Sequence, residues 1–159
     1  MTNGDTTLIT IRYLEEKYDK PNKLLPSDPA KRVQALRWLH AAEGTYMLHA
    51  IGIIYVRWFS GDNKAAADQV EEAMSKNVQK DLDLLEEELG KSEGRFLLGD
   101  SVTVADCMMH FSLAFILARG LGTKGKQWPK IEKWIEHCEA TSTYKKAVQK
   151  TGYDLSQSG

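Results

Sequence analysis

The sequence predicts an all-α protein, a bundle of about six helices, and three observations carry that reading. Apolar residues recur at steps of three and four over long stretches, the period of one helix face. The four prolines stand at 21, 26, 29 and 129, so the long intervals between them are free for uninterrupted helices. No stretch alternates apolar and polar residues for long enough to build a sheet, and no repeat of fixed period occurs.

The first helix carries Ile9, Ile11, Tyr13, Leu14 and Tyr18 and ends before Pro21. Residues 20–29 read as a linker in which Leu24 and Leu25 form a docking plug. Asp28 before Pro29 is a helix start, a side-chain acceptor at the N-cap followed by a pre-set φ. The helix that follows puts Val33, Leu36, His40, Glu43, Met47, Ala50 and Ile54 on one face and Leu39, Tyr46 and Ile53 on a second apolar line. It runs to about Phe59-Ser60-Gly61. A second long helix, from Asn63 to about Leu89, presents Val70, Met74, Val78, Leu82, Leu85 and Leu89, with Gly90 as its stop. Glu86, Glu87 and Glu88 lie near its end, where the helix dipole disfavours them. A short loop joins the two into an antiparallel hairpin.

Residues 94–100 have glycine near both ends and read as extended. Val104, Cys107, Met108, Phe111, Phe115 and Ala118 then share a helix face. Trp128, Ile131, Ile135 and Cys138 share another, opened by Pro129, and Ser142 or Thr143 caps a last short helix through Gln149. With Thr103 as N-cap, Asp106 falls at N3 and reaches back to the N-cap amide; Val102 and Cys107 take the staple positions, which predicts a buried Cys107.

Composition narrows the function. The 159 residues make one domain, with 42% hydrophobic and 27% charged residues, a globular profile. Twenty-one Lys and Arg against 22 Asp and Glu leave a net charge of −1, which provides no basic surplus for a nucleic-acid backbone or an anionic membrane. The longest apolar stretch, residues 47–56, is far below the roughly 20 residues of a membrane span. Two cysteines, no Cys-x-x-Cys and no signal-like N-terminus predict a reduced, cytoplasmic setting. Nucleotide-binding glycine motifs are absent.

No metal is expected. His40 and His49 are nine apart, on opposite sides of a helix, and His110 and His137 have no nearby partner in sequence. His40 and Glu43 share a face and read as a structural pair rather than an acid–base one. Trp58, Trp128 and Trp134 read as core fillers or half-buried anchors.

Phe96-Leu97-Leu98-Gly99-Asp100 followed by Thr103-Val104-Ala105-Asp106 resembles the C-terminal half of cytosolic glutathione transferases, where such a loop and capping box nucleate the central helix. Three further places agree in order. Residues 11–18, Ile-Arg-Tyr-Leu-Glu-Glu-Lys-Tyr, look like the last helix of the family's thioredoxin-like domain. Leu25-Pro26-Ser27-Asp28-Pro29 looks like its interdomain linker. Residues 38–47, Trp-Leu-His-Ala-Ala-Glu-Gly-Thr-Tyr-Met, are similar to the first long helix of a fungal and bacterial subgroup.

The resemblance implies that residues 1–20 are the remnant of a thioredoxin-like domain, 21–29 the linker, 30–150 the all-α domain and 151–159 a tail. It places the walls of the family's hydrophobic co-substrate pocket at Tyr46, Met47, His49, Ala50, Phe111 and Phe115, whose aromatic rings and thioether suit varied apolar electrophiles. It implies glutathione as co-substrate and no other cofactor. The family's activating Tyr, Ser or Cys belongs to the thioredoxin-like half, so no residue here inherits that role. The family's Glu-Ser or Gln-Ser pair, which holds the γ-glutamyl carboxylate, falls on Thr6-Thr7. Thr7 keeps a hydroxyl for glutathione but Thr6 lacks the acid, and the first helix has no sheet to dock on. Expected, then, are a helical domain inactive alone, able to hold an apolar small molecule, and self-association as a homodimer through the helix near residues 11–18 or that of 33–59. The rival reading is a non-catalytic interaction module.

Overall fold

The computed structural model describes residues 4–20, 23–153 and 155, with side chains from Thr7 onward. Seven α-helices follow one another: α1 Gly4–Tyr18, α2 Pro29–Ala41, α3 Leu48–Phe59, α4 Lys64–Lys91, α5 Val104–Ala118, α6 Pro129–Glu139 and α7 Ser142–Thr151. A π-helical segment, Ala42–Met47, joins α2 to α3 without a break, so the predicted single helix is continuous and the bundle has six rods. No strand occurs among the described residues. Of the predicted linker, Pro21 and Asn22 lie outside them, as does most of the predicted tail.

The Asp28 side chain accepts from the Lys31 amide at 2.9 Å and Pro29 opens α2 as predicted. The face that α2 and α3 bury is the predicted second line, Leu39, Tyr46 and Ile53, widened by Trp38 and by Met47 and Ala50 of the first. Val33 is 66% exposed, whereas Ala35, Trp38, Leu39, Ala42, Tyr46, Ala50 and Ile53 are buried. Small side chains explain the choice: Ala35 and Ala42 let α2 pack closely along α5, where the Ser112 hydroxyl donates to the Ala42 carbonyl at 3.1 Å. At their upper ends the two helices are joined by the Val104 amide, which donates to Leu24 of the linker at 3.0 Å. Of the predicted plug only Leu25 is buried; Leu24 is 39% exposed, its backbone rather than its side chain making the contact to α5. Without a sheet, α1 still docks, seating Leu8 and Ile11 against the core.

Helix α4 passes through Gly90 and ends at Lys91, with Ser92 as its C-cap. Its C-terminal acids cross to the next helix. The Glu86 carboxylate accepts from the Lys130 amide at 3.0 Å and the Ile131 amide at 3.0 Å, capping α6 from outside. Asp83 accepts from Trp128 Nε1 at 2.8 Å. Neighbouring helix charge therefore offsets the unfavourable dipole position.

At the opposite end of the hairpin, Arg57 donates to both Glu71 oxygens, at 3.1 and 2.7 Å, and to the carbonyl of Arg119 behind α5 at 3.3 Å. The Arg57 hydrogen bond holds the Glu71 carboxyl below its ordinary 4.5. A depressed carboxylate adds stability that is full above the unfolded-state value and is lost as pH falls through the folded-state one. Acid unfolding followed by circular dichroism should therefore steepen below about pH 4.5, and Glu71→Gln should flatten that limb.

Residues 94–100 are not extended. They fold into a tight turn in which Phe96 and Gly99 exchange backbone bonds of 2.9 and 3.3 Å, and Phe96 plugs the core. A Cβ on Gly94 would lie 2.2 Å from the Gly99 carbonyl carbon, so only glycine fits there, while Gly99 is set by its φ of +123°.

Candidate functional site

Helix α5 lies at the centre of the bundle, and Asp106 fixes its start. The predicted capping box is present, and Asp106 does more than close it. At 1% exposure its carboxylate accepts from the Thr103 amide and hydroxyl, both at 2.9 Å, from the Leu97 amide at 2.9 Å and from Trp134 Nε1 at 3.0 Å. One buried anion thus ties the turn 94–100, the start of α5 and α6 together.

With that end fixed, α5 turns Ala105, Met108, Met109, Ser112, Leu113 and Ile116 inward. The opposite side carries Cys107, Phe111, Phe115 and Ala118, one apolar stripe at steps of four, four and three. Phe111 is 45% exposed and stacks on Phe115 with centroids 5.8 Å apart and planes at 15°.

Cys107 is a correction to the predicted staple. It faces this open stripe and is exposed, because the buried side of the first turn is taken by Val104, Ala105 and Asp106. Desolvation by surrounding protein, then the Asp106 and Glu15 carboxylates, still push its thiol up to about 11. Cys138 is buried and burial raises it further. Both are thiols, not thiolates, at neutral pH.

The other predicted pocket residues come from the π segment and α3. Tyr46 is buried and donates to the Asp81 carbonyl of α4 at 3.1 Å; burial, then the Asp81 carboxylate, pushes its phenol well above the ordinary range. His49 Nδ1 sits 2.5 Å from Asp81 Oδ2, and the residue is half-buried. Met47 and Ala50 are buried. Tyr46 and His49 therefore meet at α4, while Phe111 and Phe115 meet on the outer side of α5. Beside Tyr46 the π segment opens a groove of about 390 Å³ between α2 and α4, with Arg37, His40 and Asp81 on its walls. Thr7 is half-buried in α1; the side chain of Thr6 lies outside the described residues.

The histidines without sequence neighbours have spatial ones. His110 Nε2 lies 3.1 Å from Glu139 Oε1 and edge-on to the Tyr144 ring at 5.0 Å, and His137 Nδ1 faces the Arg95 carbonyl at 3.3 Å. Partners 29 and 42 positions away leave no local signal. Among the described residues no group of three metal-ligating side chains gathers, and no helix is long and apolar enough to cross a membrane.

The family model described as "Glutathione S-transferase, C-terminal domain" matches residues 45–141. Among curated proteins, the chain is 28% identical over 144 residues to glutathione S-transferase sirG of Leptosphaeria maculans, covering 87% of this chain and 58% of the relative. It is 27% identical over 134 residues to glutathione S-transferase 1 of Manduca sexta, covering 84% and 58%. The chain thus spans less than two thirds of these relatives. Among solved structures, a glutathione S-transferase of Actinobacillus pleuropneumoniae superposes with a TM-score of 0.76 at 21% identity, covering all of this chain and 68% of that one. A delta-class glutathione transferase of Nilaparvata lugens superposes with a TM-score of 0.69 at 24% identity, covering 89% and 62%. These superpositions carry the fold.

Proposed function

Because the chain belongs to the glutathione S-transferase family through its C-terminal domain, we propose that it supplies the apolar, electrophile-holding side of a glutathione-conjugating enzyme and does not conjugate glutathione by itself. The carrying observation is the open apolar stripe of α5, with the Phe111–Phe115 stack on a rigid central helix. A stacked aromatic pair offers flat, sequence-tolerant contact to an apolar electrophile, and Cys107 extends it. Met47 and Ala50 are buried in the π segment and α3, and His49 beside them pairs with Asp81 of α4.

Conjugation needs glutathione as its thiolate, and the residues here offer little to make one. The Cys107 thiol and Tyr46 phenol are both raised, so neither is a base at neutral pH. Thr7 contributes at most a neutral hydroxyl. We therefore place the activating group outside these 159 residues, and the protein in the cytoplasm, where its two free cysteines stay reduced.

The test pairs two measurements on the chain alone. An apolar fluorescent probe should bind, and Phe111→Ala should weaken binding about fivefold, in line with the roughly 1 kcal/mol of an aromatic contact. Glutathione with an aromatic halide should give no turnover above background. Turnover overturns the inactivity, and probe binding unchanged in Phe111→Ala overturns the stripe.

A second reading, a non-catalytic interaction module, is favoured by an aromatic knot at the end of α3. The rings of Tyr55, Trp58 and Phe59 cluster with centroids 6.2–6.4 Å apart, and Trp58 is 61% exposed. Ile9, Tyr13 and Tyr18 of α1 are exposed as well. A bare apolar surface of this kind favours self-association. Sedimentation at micromolar concentration should give a dimer or larger species, dissociated by Trp58→Ser; a clean monomer would count against it.

A further inference from the structure

Helix α1 docks on the side chain least suited to it. Among its described side chains Glu15 is the most buried, at 5% exposure, while the apolar Ile9, Tyr13, Leu14 and Tyr18 are 46–70% exposed. Neither Glu15 carboxylate oxygen has a hydrogen-bond partner among the described residues. Burying a carboxylate without donors is among the costlier arrangements in a protein, whereas the protonated acid has no charge to desolvate. Little else holds the helix down. Its apolar contacts to the core, among the described residues, are the half-buried Leu8 and Ile11.

The charged groups around Glu15 do not relieve it. On its own helix, Arg12 leans towards Glu16 at 3.9 Å. Asp19, one turn on, accepts from the amides of Lys23, Leu24 and Leu25 at 2.9, 2.8 and 3.1 Å. Lys20 and Arg32 of α2 stand beside the same small cavity as Glu15, Glu16 and Asp19, so carboxylates outnumber bases there. From α5, Cys107 adds a neutral thiol and no cation. Desolvation by burial, opposed by Arg12 and Arg32 and reinforced by Asp19 and Glu16, raises the Glu15 carboxyl above its ordinary 4.5. A carboxyl raised by docking holds its proton more tightly in the docked helix. Docking is therefore strongest below 4.5 and weakens as pH rises from there to the raised value.

We propose that α1 is a pH-sensitive arm, docked on the bundle while Glu15 is a neutral acid and released from it when Glu15 ionises, with α5 left intact. The device is independent of the glutathione reading.

The experiment is hydrogen exchange of the 159-residue chain between about pH 5 and pH 8, above the acid limb assigned to Glu71. Protection is read over residues 8–18 and 104–118 and corrected for the intrinsic pH dependence of exchange. Protection of 8–18 should fall about tenfold across the range while that of 104–118 holds. Glu15→Gln is neutral at every pH, so its α1 protection should stay level. Arg32→Gln removes an attraction that favours the ionised, docked state, and should lower α1 protection near pH 8 about threefold further. Flat protection of 8–18 in the parent overturns the proposal, and so does a fall that Glu15→Gln repeats. Loss of 104–118 together with 8–18 overturns it as well, since the transition is then global. If Glu15→Gln does not fold, Arg32→Gln decides alone, and protection equal to the parent's near pH 8 overturns the proposal.

Discussion

Asp106→Ala is expected to cost about 5 kcal/mol, a large share of the roughly 5–15 kcal/mol that holds a domain folded. The carboxylate takes four donors at 2.9–3.0 Å from the Thr103 amide and hydroxyl, the Leu97 amide and the Trp134 indole. Alanine leaves these donors without their acceptor where water reaches poorly, and an unsatisfied buried donor costs about 1–3 kcal/mol. Partial relaxation of the turn keeps the sum below four full penalties. Asp106→Asn should fall between, since one amide oxygen still accepts while the amide nitrogen confronts donors. Urea melts of the three proteins check this order, and an Asp106→Ala curve within 1 kcal/mol of the parent would sink the account of the hub.

Gly94→Ala is expected to cost about 3 kcal/mol through backbone rather than a lost bond. Its Cβ would stand 2.2 Å from the Gly99 carbonyl carbon and 2.3 Å from the oxygen, and neither is the end of a flexible side chain. The turn must open to admit it. Opening lifts Phe96 from the core and draws the Leu97 amide from Asp106. The two effects share a structure, so the double variant should cost clearly less than the sum. Thermal melts of both single variants and the double measure the shortfall, and strict additivity would separate the turn from the hub.

Much of the fold was legible because helix signals are local. Asp28-Pro29, the Thr103–Asp106 spacing and the apolar steps of α4 are each read within a few residues. What was hidden depends on partners distant in the chain. Thr103 was visible from Asp106, but Leu97 and Trp134, nine and 28 positions away, were not. Glu86 read as a misplaced charge because its partner, the start of α6, lies 44 positions on. The line of Leu39, Tyr46 and Ile53 was legible, but the exposure of Val33 was not, because close approach to α5 selects Ala35 and Ala42. The candidate site divides the same way. The Phe111 stripe follows from α5 alone, whereas Tyr46 and His49 turn to Asp81, 35 and 32 positions away. Glu15 gave no signal, since an acid on an amphipathic helix reads as surface.

The Asp106 hub has a chemical consequence. It joins Leu97, Thr103 and Trp134, segments up to 37 positions apart, as a cross-link would, yet contains no sulfur. The two cysteines remain free. The integrity of the bundle is therefore indifferent to the thiol–disulfide balance around it, and reductant or oxidant can act on Cys107 without cutting what ties α5 to α6.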